Sequence, residues 1–275
     1  MNIWISVDME GVGGIVDRDQ LMPGRSRYEE GRDYMMGDLA VVVEQLRQAP
    51  DVDRIIVNDS HDGMVNVRWD ALPAGVRLIS GGGKPWSMNQ GMAGADAAFF
   101  VGYHARAGTA SAIADHTYAA SIYALRINGL EVGETGLNAA LAGHFGVPVA
   151  MVTGDDKVAE EARSLLPWVE TAIVKHGVTR RAAELLARAD TDRALASAVH
   201  RALAAVRERR SRIWVVPPPV TLEVTFLTSD MADRALYCPG SARAGGRTVV
   251  VTEPDMPEAF RAFYTLMALA SQSGG

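Results

Sequence analysis

The run Asn2-Ile-Trp-Ile-Ser-Val7, followed at once by Asp8-Met-Glu-Gly-Val-Gly-Gly14, constrains this chain more than any other stretch. Its apolar residues do not alternate cleanly, which fits a short strand buried on both faces. Asp8 and Glu10 stand two residues apart, so extended backbone turns both carboxylates to one side. The glycines after them allow a sharp turn. Two acids at the end of a buried strand are costly unless they are paired or hold a metal. A solvated turn carrying ordinary acids is the plain alternative, and partners elsewhere in the chain decide between the two.

Such partners recur at equivalent places. Arg54 to Asn58 reads as a strand that runs into Asp59-Ser-His61, and Ala97 to Val101 as one that ends in Gly102-Tyr-His104. A helix over Tyr28 to Arg47 and a strand over Val76 to Ser80 complete a βα-rich first half, so the class is α/β with a core sheet. Open α/β sheets gather ligands at the carboxyl ends of their strands, and these acids and histidines cluster there. Asn128-Gly129 between two apolar runs predicts a hairpin. Gly133-Glu134 leads into a helix through about Phe145, followed by a strand over Pro148 to Thr153.

Later in the chain the patterning predicts helices near 158–165, 179–189 and 191–209. It predicts strands near 169–175, 213–216, 221–226 and 248–252. A final helix from Pro257 is expected to end near Gln272, before a Ser-Gly-Gly tail. Residues 1–190 are expected to form the metal-binding catalytic α/β core. Residues 191–275 are expected to form a smaller α+β portion that packs on it or completes it.

Composition excludes several classes. A chain of 275 residues can bury one large core. Its net charge of -6 gives no support for nucleic-acid or anionic-membrane binding. The start lacks a basic leader, and no apolar run approaches a membrane span. The single cysteine, Cys238, rules out a disulfide framework within the chain and a thiolate-rich metal site. It suits a reducing cytoplasm, which is the expected location.

Asp8, Glu10, His61, His104 and Glu134 make a mixed oxygen and nitrogen donor set suited to zinc, with manganese or iron also chemically possible. Five such ligands suit two ions about 3.5–4 Å apart that share a carboxylate. Asp59 and Asp62 stand beside His61 as further ligands or supports. Glu134 alone also has an ordinary reading, as an acid in a first helical turn. His116, in Asp115-His-Thr117, is by itself ordinary loop chemistry. Arg106 is open between carboxylate recognition and a surface ion pair. His144 and His176 read as capping or packing residues, and the arginines at 207, 209, 210 and 212 as a basic helix end. Gly11-Val-Gly-Gly14 lacks a complete nucleotide-binding fingerprint.

The chain resembles the metal-dependent D-aminopeptidase family, peptidase family M55. The resemblance lies in Ser6-Val-Asp-Met-Glu-Gly-Val-Gly-Gly14, Asn58-Asp-Ser-His-Asp-Gly63 and Val101-Gly-Tyr-His-Ala-Arg-Ala-Gly-Thr109. It continues in Asp115-His-Thr117, Asn128-Gly129 and Gly133-Glu-Thr-Gly-Leu-Asn138. These motifs occur in order, within roughly residues 1–175. The resemblance implies two zinc ions per chain. Asp8 bridges them, Glu10 and His61 complete one position, and His104 and Glu134 complete the other. It implies His116 as the catalytic histidine and short peptides with an N-terminal D-residue, such as D-alanyl peptides, as substrates. It also implies a homo-oligomer, a decamer of stacked rings around a channel. An amidase of another small substrate, a metal-dependent phosphatase and a noncatalytic metal-binding protein are the rival readings.

Overall fold

In the computed structural model, which describes residues 1–271, β1 (Asn2–Val7), α1 (Tyr28–Gln48), β2 (Arg54–Asp59), β3 (Val76–Ile79) and β4 (Ala97–Val101) come first. A hairpin of β5 (Ile122–Ile127) and β6 (Leu130–Val132) leads into α2 (Glu134–His144). Then come β7 (Val149–Asp155), α3 (Asp156–Leu165), β8 (Glu170–Thr179), β9 (Ala182–Leu185) and α4 (Arg188–Arg207). The chain closes with β10 (Val220–Phe226), α5 (Ser229–Ala235), β11 (Ala242–Arg243), β12 (Thr248–Glu253) and α6 (Met256–Ser271). The expected helix end at Gln272 and the tail after it lie outside the described residues. Among the described residues, no helix is long and apolar enough to cross a membrane.

Seven strands form the larger sheet in the order β3-β2-β1-β4-β7-β8-β9. Every neighbouring pair is parallel except β8–β9. The order reverses around β1, which lies between β2 and β4, and this is where such sheets open a crevice. α1 and α4 cover one face through Met35, Leu39, Leu195 and Val199. The smaller sheet, β11-β12-β10-β5-β6, is antiparallel, and α6 packs on it through Phe260, Phe263 and Leu266. At its hairpin Asn128 and Gly129 take φ values of 48° and 82°, the left-handed pair that the Asn-Gly signal predicts.

Residue 190 falls inside α4, which packs against β7 and β8 of the larger sheet. The smaller sheet draws β5 and β6 from before that point and three strands from after it. Chain order and sheet membership therefore do not run together. The joint between the sheets is α2, buried at every position except His144. Its Leu137, Ala140 and Leu141 pack toward the smaller sheet, and its Ala139 and Ala142 toward the larger. A helix buried on nearly all sides belongs in such a place, its polar Glu134 and Asn138 sharing one face toward the site.

Two expectations are corrected. The helix predicted over 179–189 is a turn and the strand β9, because β8 runs on to Thr179 and the chain folds back to pair with it. Cross-strand pairing there overrides the helical preference of Ala, Glu and Leu. The segment 213–216 makes no strand. It runs irregularly into Pro217-Pro-Pro219, and Trp214 lies so close to α2 that a Cβ on Gly143 would stand 1.8 Å from the Trp214 carbonyl oxygen.

The turn after β1 is locked from several directions. A Cβ on Gly11 would stand 1.8 Å from the Tyr103 carbonyl oxygen, so only glycine lets the turns after β1 and β4 meet. Lys175, midway along β8 and fully buried, donates its three N–H groups to the carbonyls of Glu10, Val12 and Ile15 at 2.6, 2.8 and 2.6 Å. Asp38 of α1 accepts from the Gly13 amide at 2.9 Å and pairs with Arg188 of α4. Replacing Lys175 with methionine keeps its volume and leaves three buried carbonyls without a donor. We expect Lys175→Met to lower unfolding free energy by about 2–4 kcal/mol. Denaturant unfolding measures this, and an unchanged midpoint would show that the ammonium does not tie the turn down.

Candidate metal centre

Asp8 and Glu10 follow β1, His61 follows β2, and His104 follows β4. Glu134 opens α2, and His116 lies on the loop between β4 and β5. Five of the six line one cavity of about 720 Å³. The sixth, His104, stands directly behind it, 1% exposed.

Asp8 stands between two histidines. Its Oδ1 is 3.2 Å from His61 Nδ1, and its Oδ2 is 3.6 Å from His104 Nε2. Glu10 Oε2 joins the first histidine at 3.1 Å, and Glu134 Oε1 joins the second at 3.2 Å. His116 Nε2 approaches Glu134 Oε1 at 3.5 Å, and its ring stacks on that of His104 with centroids 4.1 Å apart. Proximity alone groups the atoms differently. Donor atoms of Asp8, Glu10 and His104 lie within 4.8 Å of one another, as do those of His104, His116 and Glu134. The short contacts around Asp8 describe the cluster better, because they account for both of its oxygens.

The other nitrogen of each imidazole faces a backbone carbonyl. His61 Nε2 donates to Leu21 at 2.8 Å, His104 Nδ1 to Ala105 at 3.0 Å, and His116 Nδ1 to Ala114 at 3.0 Å. A carbonyl oxygen only accepts, so these nitrogens carry the hydrogens. In the neutral imidazole the remaining lone pair then points into the carboxylates. Histidines that hold metals are oriented in this way. His104 Nε2 is buried and has no aligned hydrogen-bond partner among the described residues. An orphaned lone pair between two carboxylates fits a cation placed among them.

The electrostatics carry the same demand. Asp8, Glu10 and Glu134 are each no more than 6% exposed. Burial and the charge of Glu10 push Asp8 up to about 8. Burial also acts to raise Glu10, but His61 outweighs it and holds Glu10 well below the usual carboxylate range. Burial draws His61 and His104 down, yet Glu10 and Glu134 respectively lift them well above an ordinary histidine. The cluster calls for positive charge, which protons on these two rings or metal cations supply. His116 differs, because burial and the neighbouring His104 lower it.

The remaining sequence candidates separate cleanly. Asp59 turns away from the cavity and accepts from Asn66 and Val67, closing the loop that carries His61. Asp62 lines the cavity in a left-handed conformation. Arg106 pairs with Glu131 and Glu161 and does not line the cavity, so the ion-pair reading holds. His144 and His176 are exposed and outside the cavity.

Sequence reasoning missed the supports. Asn138 stands one turn after Glu134 on the same face of α2. Its Oδ1 accepts from Tyr118 and Asn89 at 2.6 Å each, and its Nδ2 donates to Tyr103 at 3.0 Å. The Tyr118 amide, held at φ 58°, donates to Glu134 Oε1 at 2.7 Å and fixes that carboxylate. Lys175 had a visible signal, a charged residue continuing the apolar run Ala172-Ile-Val174.

Comparison with known proteins identifies the family. The M55 peptidase family model, described as D-aminopeptidase, matches residues 1–265. A D-aminopeptidase of Bacillus subtilis (strain 168) is 35% identical over 277 residues, covering 99% of both chains. A solved structure, the Zn-dependent D-aminopeptidase DppA from Bacillus subtilis, described as a self-compartmentalizing protease, superposes with a TM-score of 0.96. It covers 100% of both chains at 35% identity. The shared fold, the matching family model and the identity along the whole length together place the chain in the M55 family of D-aminopeptidases.

Proposed function

We propose that this protein is a zinc-dependent aminopeptidase that removes an N-terminal D-residue, such as D-alanine, from short peptides. The observation that carries this reading is the convergence of three imidazole lone pairs on three buried carboxylates, each ring fixed from behind by a backbone carbonyl. Two zinc ions per chain fit the donor set. Asp8 offers one oxygen toward His61 and Glu10, and the other toward His104 and Glu134. When bound, zinc supplies a Lewis acid that polarises a carbonyl and makes water acidic enough to attack near neutral pH.

The chain's own residues supply orientation and proton transfer. His116 Nε2 faces the cavity while Nδ1 stays hydrogen-bonded to Ala114. That nitrogen is free to take a proton from attacking water or pass one to the departing amine. Stacking on His104 holds the ring in place. Opposite the acids, Ile122, Tyr123, Leu227, Tyr264 and Met267 give an apolar wall from the smaller sheet and α6, suited to a small side chain. We further propose a cytoplasmic homo-oligomer, the decamer of stacked rings that the family resemblance implies.

A substrate panel tests the chemistry. The metal-loaded protein is expected to cleave D-alanyl peptides faster than matched L-alanyl peptides and to leave phosphate esters intact. Phosphatase activity without peptidase or amidase activity would defeat the reading.

The metal assignment has its own test. Asp8→Ala is expected to disturb both metal positions, whereas Glu10→Ala or His61→Ala weakens mainly one and His104→Ala mainly the other. Anomalous diffraction reads the occupancies, and a fully loaded Asp8→Ala protein would remove Asp8 as the bridge. His116→Ala is expected to keep both metals and the fold while turnover falls about 10²–10⁴-fold. Single-turnover kinetics beside metal analysis checks this. Loss of one metal, with normal chemistry after metal is restored, would make His116 a ligand.

A further inference from the structure

The larger sheet is parallel until its last strand, and that exception reaches the cavity. β8 carries Lys175 beneath the turn after β1, then runs on past the sheet as one arm of a hairpin. A Cβ on Gly177 would stand 1.8 Å from the Ser111 carbonyl oxygen, so the hairpin lies directly on the loop that carries His116. The Ala114 amide donates to the Arg180 carbonyl at 3.0 Å. The Arg180 guanidinium grips Asp115 twice, through Nε to Oδ1 at 2.7 Å and through Nη2 to the carbonyl at 2.8 Å. The tip of the hairpin is thereby pinned beside His116, and Arg181 is delivered to the rim.

Arg181 and Arg18 both line the cavity. Arg180 spends its charge on Asp115, but neither of these two has a carboxylate partner among the described residues. They come from opposite segments. Arg18 lies just before Leu21, the residue that anchors His61, and Arg181 lies on the strand turn that braces the His116 loop. The cavity floor, by contrast, is acidic, with Asp8, Glu10 and Glu134. The buried acids thus lie at the floor, while the exposed charged residues of the lining include Arg18 and Arg181 beside one acid, Asp62. A zwitterionic peptide carries the complementary pattern, an ammonium at one end and a carboxylate at the other. Extended chain advances about 3.3–3.6 Å per residue, so a di- or tripeptide is roughly 7–10 Å long, which suits a cavity of this size.

We propose that Arg181, assisted by Arg18, binds the C-terminal carboxylate of the substrate, so that the enzyme selects di- and tripeptides with a free carboxyl end. The proposal rests on the aminopeptidase reading and adds the second recognition element that the reading lacks. A guanidinium presents paired donors to a carboxylate, while a C-terminal amide offers it a single neutral oxygen. Longer peptides would have to carry their carboxylate past the rim and would lose the contact.

The test compares one D-alanyl dipeptide with its C-terminal amide, using the metal-loaded enzyme. Wild type is expected to favour the free acid by about tenfold in kcat/KM, through a lower KM. In Arg181→Ala that preference is expected to collapse toward one as KM for the acid rises, and Arg181→Lys to keep part of it. Arg18→Ala is expected to reduce the preference less. Raising ionic strength is expected to erode it in wild type, because both guanidinium groups are exposed. Equal turnover of acid and amide by wild type would overturn the proposal and leave the aminopeptidase reading standing. An equal loss on both peptides in Arg181→Ala would also overturn it, by making Arg181 a support of the loop. Cleavage of neither peptide by wild type would defeat the aminopeptidase reading and this proposal with it.

Discussion

Three carboxylates crowded together and nearly cut off from water repel one another, and the architecture around them counters that repulsion. Beyond the two histidines in direct contact, further support is applied to the backbone around the carboxylates. Lys175 places its ammonium on the carbonyls of the turn that carries Glu10, and does not pair with Glu10 itself. Asp38 and Arg188 tie the same turn to α1 and α4. Glu134 sits at the positive end of α2 and accepts from the Tyr118 amide. Backbone amides of Met9 and Tyr118 donate to Asp8 Oδ1 and Glu134 Oε1, and so help to fix the carboxylate oxygens that face the histidines. A cavity preorganised in this way loses little on reorganisation when a cation enters.

The elements that were legible in the sequence are those whose signal is local. β1 was readable because its run is mostly apolar and its end is marked by two acids and three glycines. The hairpin at Asn128-Gly129 was readable because few residue pairs accept left-handed backbone twice in succession. The positions of Asp8, Glu10, His61 and His104 were readable from one rule, that parallel strands deliver their chemistry at the carboxyl edge. His116 and Glu134 lie off that edge, on a loop and on a helix start. Glu134 entered the donor set only as an acid with an ordinary helix-start explanation, and His116 was pointed to by the family's motifs alone.

What was not legible depends on partners far away in the chain. The segment 179–189 has helical composition, yet β8 offers it an edge to pair with, and the edge prevails. Trp214 and its neighbours looked like a strand but fill the space against Gly143, and they pair with no strand among the described residues. Asn138 and Tyr118 carry no sequence mark of their importance. Their value comes from meeting across 20 residues of chain beneath the carboxylates. The split of the strands between two sheets was hidden for the same reason, since β5 and β6 find their sheet only when β10 arrives about a hundred residues later.

The burial of α2 on both sides has a mechanical consequence. Many two-lobed enzymes admit substrate by letting one lobe swing or slide against the other. Here the element between the two sheets is itself the carrier of Glu134, and it is packed by both cores at once. Any shear between the sheets would drag Glu134 away from Asp8 and His104 and dismantle the cluster. The floor must therefore behave as a single rigid body, and freedom to admit or release a molecule is left to the rim. That leaves gating to the loops of the rim, among them the segment that carries Arg18 and Met22.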